Sequence, residues 1–226
     1  LEYLEILTGK GSDETDKQLY RFTDHGKREV GMRFDLTVPF ARFAAQHISK
    51  LGTPFKRYHM GTVWRGENTQ RGRYREFMQC DFDTIGTTSA ISDLETVLVV
   101  HDLLTAIGVD RFTIRINDRR ILSGILEVLG LTSKTTHVLR CLDKTGKIPR
   151  DTLANELQEQ GVSVPSVDCL LGLGELSGSA TDVLSELHNL VGESAVGVQG
   201  VEAVGALLNG LAEVGVVDDR ITLDPS

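Results

Sequence analysis

The spacing of apolar and polar positions changes several times along this chain, and each change marks an element. Val30–Val38 (VGMRFDLTV) alternates with a period of two and predicts a strand. Pro39 can open the helix that follows, because its missing N–H would go unpaired in a first turn anyway. The apolar and small residues of PFARFAAQHISKL keep helical spacing, and Gly52 stops them. Phe55–Arg65 and Arg73–Ile85 are rich in aromatic and β-branched residues. The polar stretch Gly66–Gly72 joins them, which predicts a long antiparallel hairpin. Ser92 and Glu95 form an S-x-x-E capping box before LETVLVVHDLLTAIG, a helix ending at Gly108. Phe112–Ile116 predicts a short strand and Ile121–Leu129 another helix. From Thr132 onward helical spacing dominates, in DTLANELQEQG, VPSVDCLLGLG, ATDVLSELHNLVG and GVEAVGALLNGLAEVG, before Arg220–Leu223 starts a strand. This order predicts an α+β fold built around an antiparallel sheet, with a mainly helical module inserted.

Composition sharpens the division. Arg, Phe and Tyr in alternating patterns give way near residue 130 to Leu, Val, Gly, Ser and Glu. The predicted parts are residues 1–131, an inserted helical domain at 132–219, and a returning strand at 220–226. With 40% of 226 residues apolar and 25% charged, the chain can bury a core and is too ordinary in charge for wholesale disorder. No window approaches the roughly 18 uninterrupted apolar residues of a membrane helix. The start LEYLEILTGKGSDETDK lacks the layout of a secretory signal. Cys80, Cys141 and Cys169 lie far apart, so neither a disulfide framework nor a metal site is signalled. The expectation is a cytoplasmic protein with no membrane association.

Charge adds one pointer. The net value of −8 hides an asymmetry: residues 1–80 carry 14 Lys and Arg against 10 Asp and Glu, and residues 81–226 carry 10 against 22. Within Lys56–Arg75 six basic residues stand against one acid. Such a local excess suits an anionic ligand.

Strand alternation then sorts the polar side chains by face. Arg33, Asp35 and Thr37 share a face of the first strand, and Val63 and Arg65 share one on the second, with Glu67 next if that strand continues. Arg75, Phe77, Gln79, Asp81 and Asp83 share one on the third. A face with this many charges cannot pack on an apolar core, so it meets water or forms a polar site. The opposite set, Tyr74, Met78, Cys80 and Phe82, is expected to face the core. Carboxylates and an amide carbonyl accept from an ammonium, a guanidinium clamps a phosphate or carboxylate, and an aromatic ring stacks a base. An amino acid beside a nucleotide fits that inventory. Asp35 and Thr37 suit equally well a helix N-cap before Pro39.

MRFDLTVPFAR (Met32–Arg42) and the 32 residues FKRYHMGTVWRGENTQRGRYREFMQCDFDTIG (Phe55–Gly86) closely resemble histidyl-tRNA synthetases, a class II aminoacyl-tRNA synthetase family. The second segment is similar to motif 2 of that class: a strand ending in Arg-x-Glu, a loop, and GRYREF on the returning strand. INDRRIL, LDKTGKIP and VDDRITLDPS also fit. The resemblance implies a class II antiparallel sheet flanked by helices, its front part in residues 1–131. It implies a histidine–tRNA ligase that makes histidyl-adenylate from histidine and ATP, with magnesium on the phosphates, and passes the histidyl group to tRNA(His). A homodimer is implied as well. By the same resemblance Asp35, Thr37 and Gln79 hold the α-ammonium of histidine and Asp83 meets its imidazole. Arg65 sits on the α-phosphate and substrate carboxylate as the catalytic residue. Glu67 contacts the adenine amino group, Phe77 stacks the ring, and Arg73 reaches the γ-phosphate. Arg73 and Arg75 compete for that last role, the other pairing with a carboxylate.

Motif 3, the Arg-Gly-Leu-Asp-Tyr-Tyr segment and the anticodon-binding domain of the family have no counterpart here, so the chain reads as a fragment without full activity of its own. The competing expectation is the synthetase-like regulatory subunit of ATP phosphoribosyltransferase, which senses histidine and has no ligase activity. Retention of Arg65, Glu67, Arg73, Phe77, Gln79 and Asp83 favours the ligase.

Overall fold

The structure is a computed structural model that describes residues 1–9, 13–216 and 220–225, with only the backbone of residues 13–15. The chain divides into two compact units, Leu1–Thr88 and Ser89–Ser226.

In the first unit, β1 (Glu2–Tyr3), β3 (Glu29–Gly31) and β2 (Arg21–Thr23) form a small antiparallel sheet in that spatial order. Short helices α1 (Leu4–Leu7) and α2 (Asp13–Gln18) precede β2. The expected strand Val30–Val38 is cut short. Pairing ends at Gly31, and helix α3 (Thr37–Leu51) begins before Pro39. The reason is local: the Asp35 carboxylate accepts from the Val38 N–H at 2.9 Å, which closes the first helical turn. The hairpin is present as β4 (Phe55–Trp64) and β5 (Glu76–Ile85), antiparallel over ten paired positions from Phe55↔Ile85 to Trp64↔Glu76. It forms its own two-stranded sheet. Leu36, Phe40 and Val63 are buried where α3 and its lead-in meet the hairpin.

The expectation about which hairpin face is covered is reversed. Tyr58, Met60, Tyr74 and Met78 are 78%, 61%, 69% and 71% exposed, and Cys80 is exposed too. The polar face is the half-buried one, because residues 33–40 cross it and bring Phe34, Leu36 and Phe40 with them.

The second unit opens with α4 (Ile91–Ala106), whose N-cap is Ala90. Ser92 lies inside the helix and donates to the Ser89 carbonyl at 2.8 Å, so the expected S-x-x-E capping box does not form. Strand β6 (Ile114–Ile116) pairs in parallel with β7 (Ile221–Leu223), which separates this pair from the antiparallel elements. Between them run α5 (Arg119–Val128), α6 (Thr135–Leu142), α7 (Arg150–Glu159), α8 (Val164–Gly172), α9 (Ala180–Val191) and α10 (Ala195–Glu213). Four of these six helices, α5, α8, α9 and α10, start on a side-chain cap. Asp118, Ser163, Ser179 and Ser194 each accept from a first-turn N–H, and Ser179 with Asp182 completes a capping box. One apolar core, with Ile121, Leu126, Val138, Leu170, Leu187 and Val204 among its members, spans α5 to α10. That core runs through residue 131 without interruption, so the compact units part at Thr88 and not at the compositional shift. Helix α10 is long and apolar enough to cross a membrane by length and composition. Of its residues, Gly197, Gly200, Val201, Val204 and Leu211 are buried within the unit.

The cap of α5 carries a testable contribution. Hydrogen bonds from the Arg120 side chain and backbone hold the Asp118 carboxyl below its usual range. Asp118→Ala is expected to cost about 1 kcal/mol of stability near neutral pH. A carboxylate whose folded pKa is depressed stabilises above its unfolded pKa and loses that effect as pH falls. The gap between the thermal melts of wild type and variant should therefore close below about pH 4. A gap that persists unchanged in acid would assign the loss to helix propensity and not to the ionised cap.

Candidate active site

Register sets which side chains stand together on the hairpin. Across the covered face Arg57 pairs with Asp83, His59 with Asp81, Gly61 with Gln79, and Val63 with Phe77. The lead-in to α3 is bonded onto β4 along this face. Arg33 Nε donates to the Thr62 carbonyl at 2.7 Å, and the Trp64 N–H donates to the Arg33 carbonyl at 3.1 Å. Arg65 Nε donates to the Phe34 carbonyl at 3.2 Å and Arg57 Nη2 to the Leu36 carbonyl at 2.9 Å. Gly61 makes the close crossing feasible. A Cβ there would lie 2.9 Å from Arg33 Nη2 and 3.3 Å from Leu36 Cδ2.

Two regions result. At the loop end of the hairpin, Arg65, Glu67, Gly72, Arg73, Tyr74 and Phe77 line a cavity of about 310 Å³. The Arg65 guanidinium stacks on Phe34 at 4.4 Å and faces Phe77 at 5.1 Å, so both rings restrict it. Arg73 contacts the Glu67 carboxylate at 3.4 Å, and Arg75 Nε donates to the Glu67 carbonyl at 3.1 Å. Glu67 thus engages both arginines that competed for one role in the sequence.

Further along the same face lie Gln79, Asp81 and Asp83, with Asp35 contributing to the field. The Asp81 carboxyl is raised above its ordinary range, first by burial and next by the negative charge of Asp83, against the opposing pull of Arg57. Gln79 Oε1 is buried and accepts no hydrogen bond from any described residue. A buried amide carbonyl left open in this way is costly unless a ligand supplies a donor. Arg57 Nη2 approaches Asp83 Oδ2 at 2.8 Å, a charge contact whose angle falls outside hydrogen-bond geometry. Thr37 is exposed at the first residue of α3, and Asp35 spends one carboxylate oxygen on the Val38 N–H.

The structure therefore gathers Arg65, Glu67, Arg73 and Phe77 around one cavity and sets Gln79 and Asp83 on the adjoining stretch of the same face. Sequence reasoning passed over Arg57. Its signal was available, since it alternates with Arg65 along β4 and faces Asp83 once the hairpin register is counted from its closed end. Among the described residues, no three His, Cys, Asp or Glu side chains are grouped to hold a metal ion.

Fold and site together define an α and β chain with a polar cavity at the loop end of a hairpin. A family model described as Histidyl-tRNA synthetase matches residues 1–226, and the chain belongs to that family. It is 59% identical over its full length to the histidine–tRNA ligase of Rhodopirellula baltica, of which it covers 51%. The crystal structure of histidyl-tRNA synthetase from Nostoc sp. PCC 7120 superposes with a TM-score of 0.86 at 28% identity, over 99% of this chain and 51% of that one. A Bacillus halodurans structure titled as an ATP phosphoribosyltransferase regulatory subunit/histidyl-tRNA synthetase has a TM-score of 0.82 at 20% identity, covering 99% of this chain and 57% of that one. That similarity shows a shared fold. The chain spans about half the length of the curated relatives it matches.

Proposed function

We propose that the whole protein is a cytoplasmic, homodimeric histidine–tRNA ligase, and that this chain carries the half of its active site that holds ATP and histidine. The observation that supports this reading best is the gathering of Arg65, Glu67, Arg73 and Phe77 around one cavity beside Gln79 and Asp83. In the first step a carboxylate oxygen of histidine attacks the α-phosphorus of ATP, and pyrophosphate leaves in line. Arg65 lies where the two regions meet and offsets charge that builds on the phosphoryl oxygens. Phe77 would stack adenine, Glu67 would accept from its amino group, and Arg73 would meet the γ-phosphate. ATP would arrive with magnesium as its counter-ion. Asp35, Thr37 and Gln79 would hold the α-ammonium and Asp83 the imidazole. Such catalysis is mostly positioning. In the second step the terminal ribose of tRNA(His) would take the histidyl group.

The finer architecture belongs to the same proposal. Residues 1–131 would be the front of a class II catalytic domain, 132–219 an inserted helical domain, and 220–226 the strand returning to the sheet. The parallel pairing of β6 with β7 supports it, since the helical segment leaves from one strand and comes back beside it.

Histidine-dependent ATP–pyrophosphate exchange by the whole-length protein tests the activity. Gln79→Ala is expected to raise the histidine KM by about tenfold while leaving the ATP KM within about twofold, since the amide is assigned to the ammonium alone. A whole-length protein that binds histidine, folds and yet shows no exchange would be the histidine-sensing regulatory relative, whose fold the Bacillus halodurans similarity shares.

A further inference from the structure

Arg57 has no role in the activation step as proposed, yet its two terminal nitrogens are both engaged, while its buried Nε has no hydrogen-bond partner among the described residues. Nη2 lies 2.8 Å from Asp83 Oδ2 and donates to the Leu36 carbonyl at 2.9 Å. Nη1 meets His59 Nδ1 at 2.9 Å, and the Phe40 ring lies beneath the guanidinium carbon at 4.0 Å. A guanidinium only donates, so Nδ1 of His59 is the accepting nitrogen and the ring hydrogen sits on Nε2. Both members of the ion pair are largely covered, at 14% and 21% side-chain exposure, so solvent screens the contact weakly. The carboxylates that interact with Arg57 are Asp83 and Asp81, and the His59 ring meets its Nη1. Asp83 has a like-charged neighbour in Asp81, and Arg57, opposite it in the register, is the cation that meets its carboxylate.

Resting on the assignment of Asp83 to the imidazole, we propose that Arg57 is the positioning residue of side-chain selectivity. It aims the Asp83 carboxylate at a ring N–H of the bound amino acid. Through the Leu36 carbonyl it also locks that carboxylate in register with the segment carrying Asp35. The ring contact and the ammonium contact are thereby held at a fixed separation, which suits an amino acid with a nitrogen-bearing ring. Lysine cannot replace this, because a single ammonium on a flexible stem does not reach Asp83, Leu36 and His59 in one plane.

The test measures pyrophosphate exchange by the whole-length protein, with the histidine KM, the ATP KM and the inhibition constant of 2-thienylalanine read together. Thienylalanine has a five-membered ring of similar size and no ring N–H. Arg57→Met keeps an apolar stem over Phe40 and removes the donors. It is expected to raise the histidine KM by about tenfold or more while the thienylalanine constant and the ATP KM stay within about twofold. Arg57→Lys is expected to fall between Arg57→Met and wild type. If Arg57→Met weakens histidine and thienylalanine equally, Arg57 is scaffolding and the proposal fails. A selective loss of histidine binding in Asp83→Asn would then still uphold the proposed function. If Asp83→Asn leaves the preference intact, both the Asp83 assignment and the role of Arg57 fall. Should Arg57→Met not fold, Arg57→Lys decides: an unchanged preference overturns the proposal and a reduced one with an unchanged ATP KM sustains it.

Discussion

Replacing Arg65 by alanine in the whole-length protein is expected to lower histidine-dependent ATP–pyrophosphate exchange by about a thousandfold, through kcat more than through either KM. The expectation follows from placement. Arg65 lines the cavity with Glu67, Arg73 and Phe77 on the face that carries Gln79 and Asp83, and in the proposed site it is the cation assigned to the α-phosphate. Its head is held by the Phe34 ring, the Phe77 ring and the Phe34 carbonyl, which leaves little reorganisation to be done as charge develops. Arg65→Lys should recover only a small part, because the stacked planar head is what the two rings select. The fold should survive, since the backbone N–H of Arg65 still donates to the Arg75 carbonyl at 2.9 Å whatever the side chain. Single-turnover exchange beside circular dichroism settles it. A loss below about tenfold in a folded variant would remove Arg65 from the transition state.

How much of this was visible in the sequence depends on how local the deciding interactions are. The hairpin was legible because alternation, aromatic content and a glycine-containing loop agree, and its register follows once the closed end is fixed. Helix α9 was legible in its apolar spacing, and its box of Ser179 and Asp182 is local chemistry too. Val30–Val38 misled because alternation cannot separate a strand from an extended lead-in whose residues bond across another strand. Arg33, Phe34 and Leu36 give their carbonyls or side chains to β4 without adding a strand to it. Asp35 and Thr37 read from the sequence as site residues or as an N-cap, but the cap position falls on Leu36, with Asp35 just before it. The structure shows the bond of Asp35 to Val38, and the rest of its role belongs to the proposed site. Ser92 and Glu95 had capping spacing, but the helix starts at Ile91, where Ala90 and Ser89 set the entry. The covered face of the hairpin was assigned backwards. Polarity left it either meeting water or forming a polar site and put the core on the opposite face, whereas Phe34, Leu36 and Phe40 cover it through arginines that pair and stack at once. Such long-range compensation is what a one-dimensional pattern leaves out.

Gly124→Ala is expected to destabilise the helical unit by about 2–4 kcal/mol, although it adds a single methyl group to a helix in which alanine is intrinsically the better residue. The reason lies in how α5 meets α10. A Cβ built on Gly124 would stand 2.4 Å from the Gly197 Cα and 2.8 Å from the Gly197 nitrogen. Those are backbone atoms of a neighbouring helix near its start, capped by Ser194, and they cannot rotate aside as a side chain could. The helices would have to part, and parting them opens gaps around Ile121, Ile125 and Val201, all buried in the shared core. Gly172→Ala is the control. It lies at the end of α8 with nothing within 4 Å of a built Cβ and a φ of −67°, so alanine there is expected to be neutral or slightly stabilising. In thermal melts followed by far-UV circular dichroism, Gly124→Ala should lower the helical transition by roughly 5–12 °C and Gly172→Ala should leave it in place. Equal melts for both variants would mean that α5 and α10 can slide to admit a methyl group, and that the glycine pair reflects helix spacing already loose enough to give.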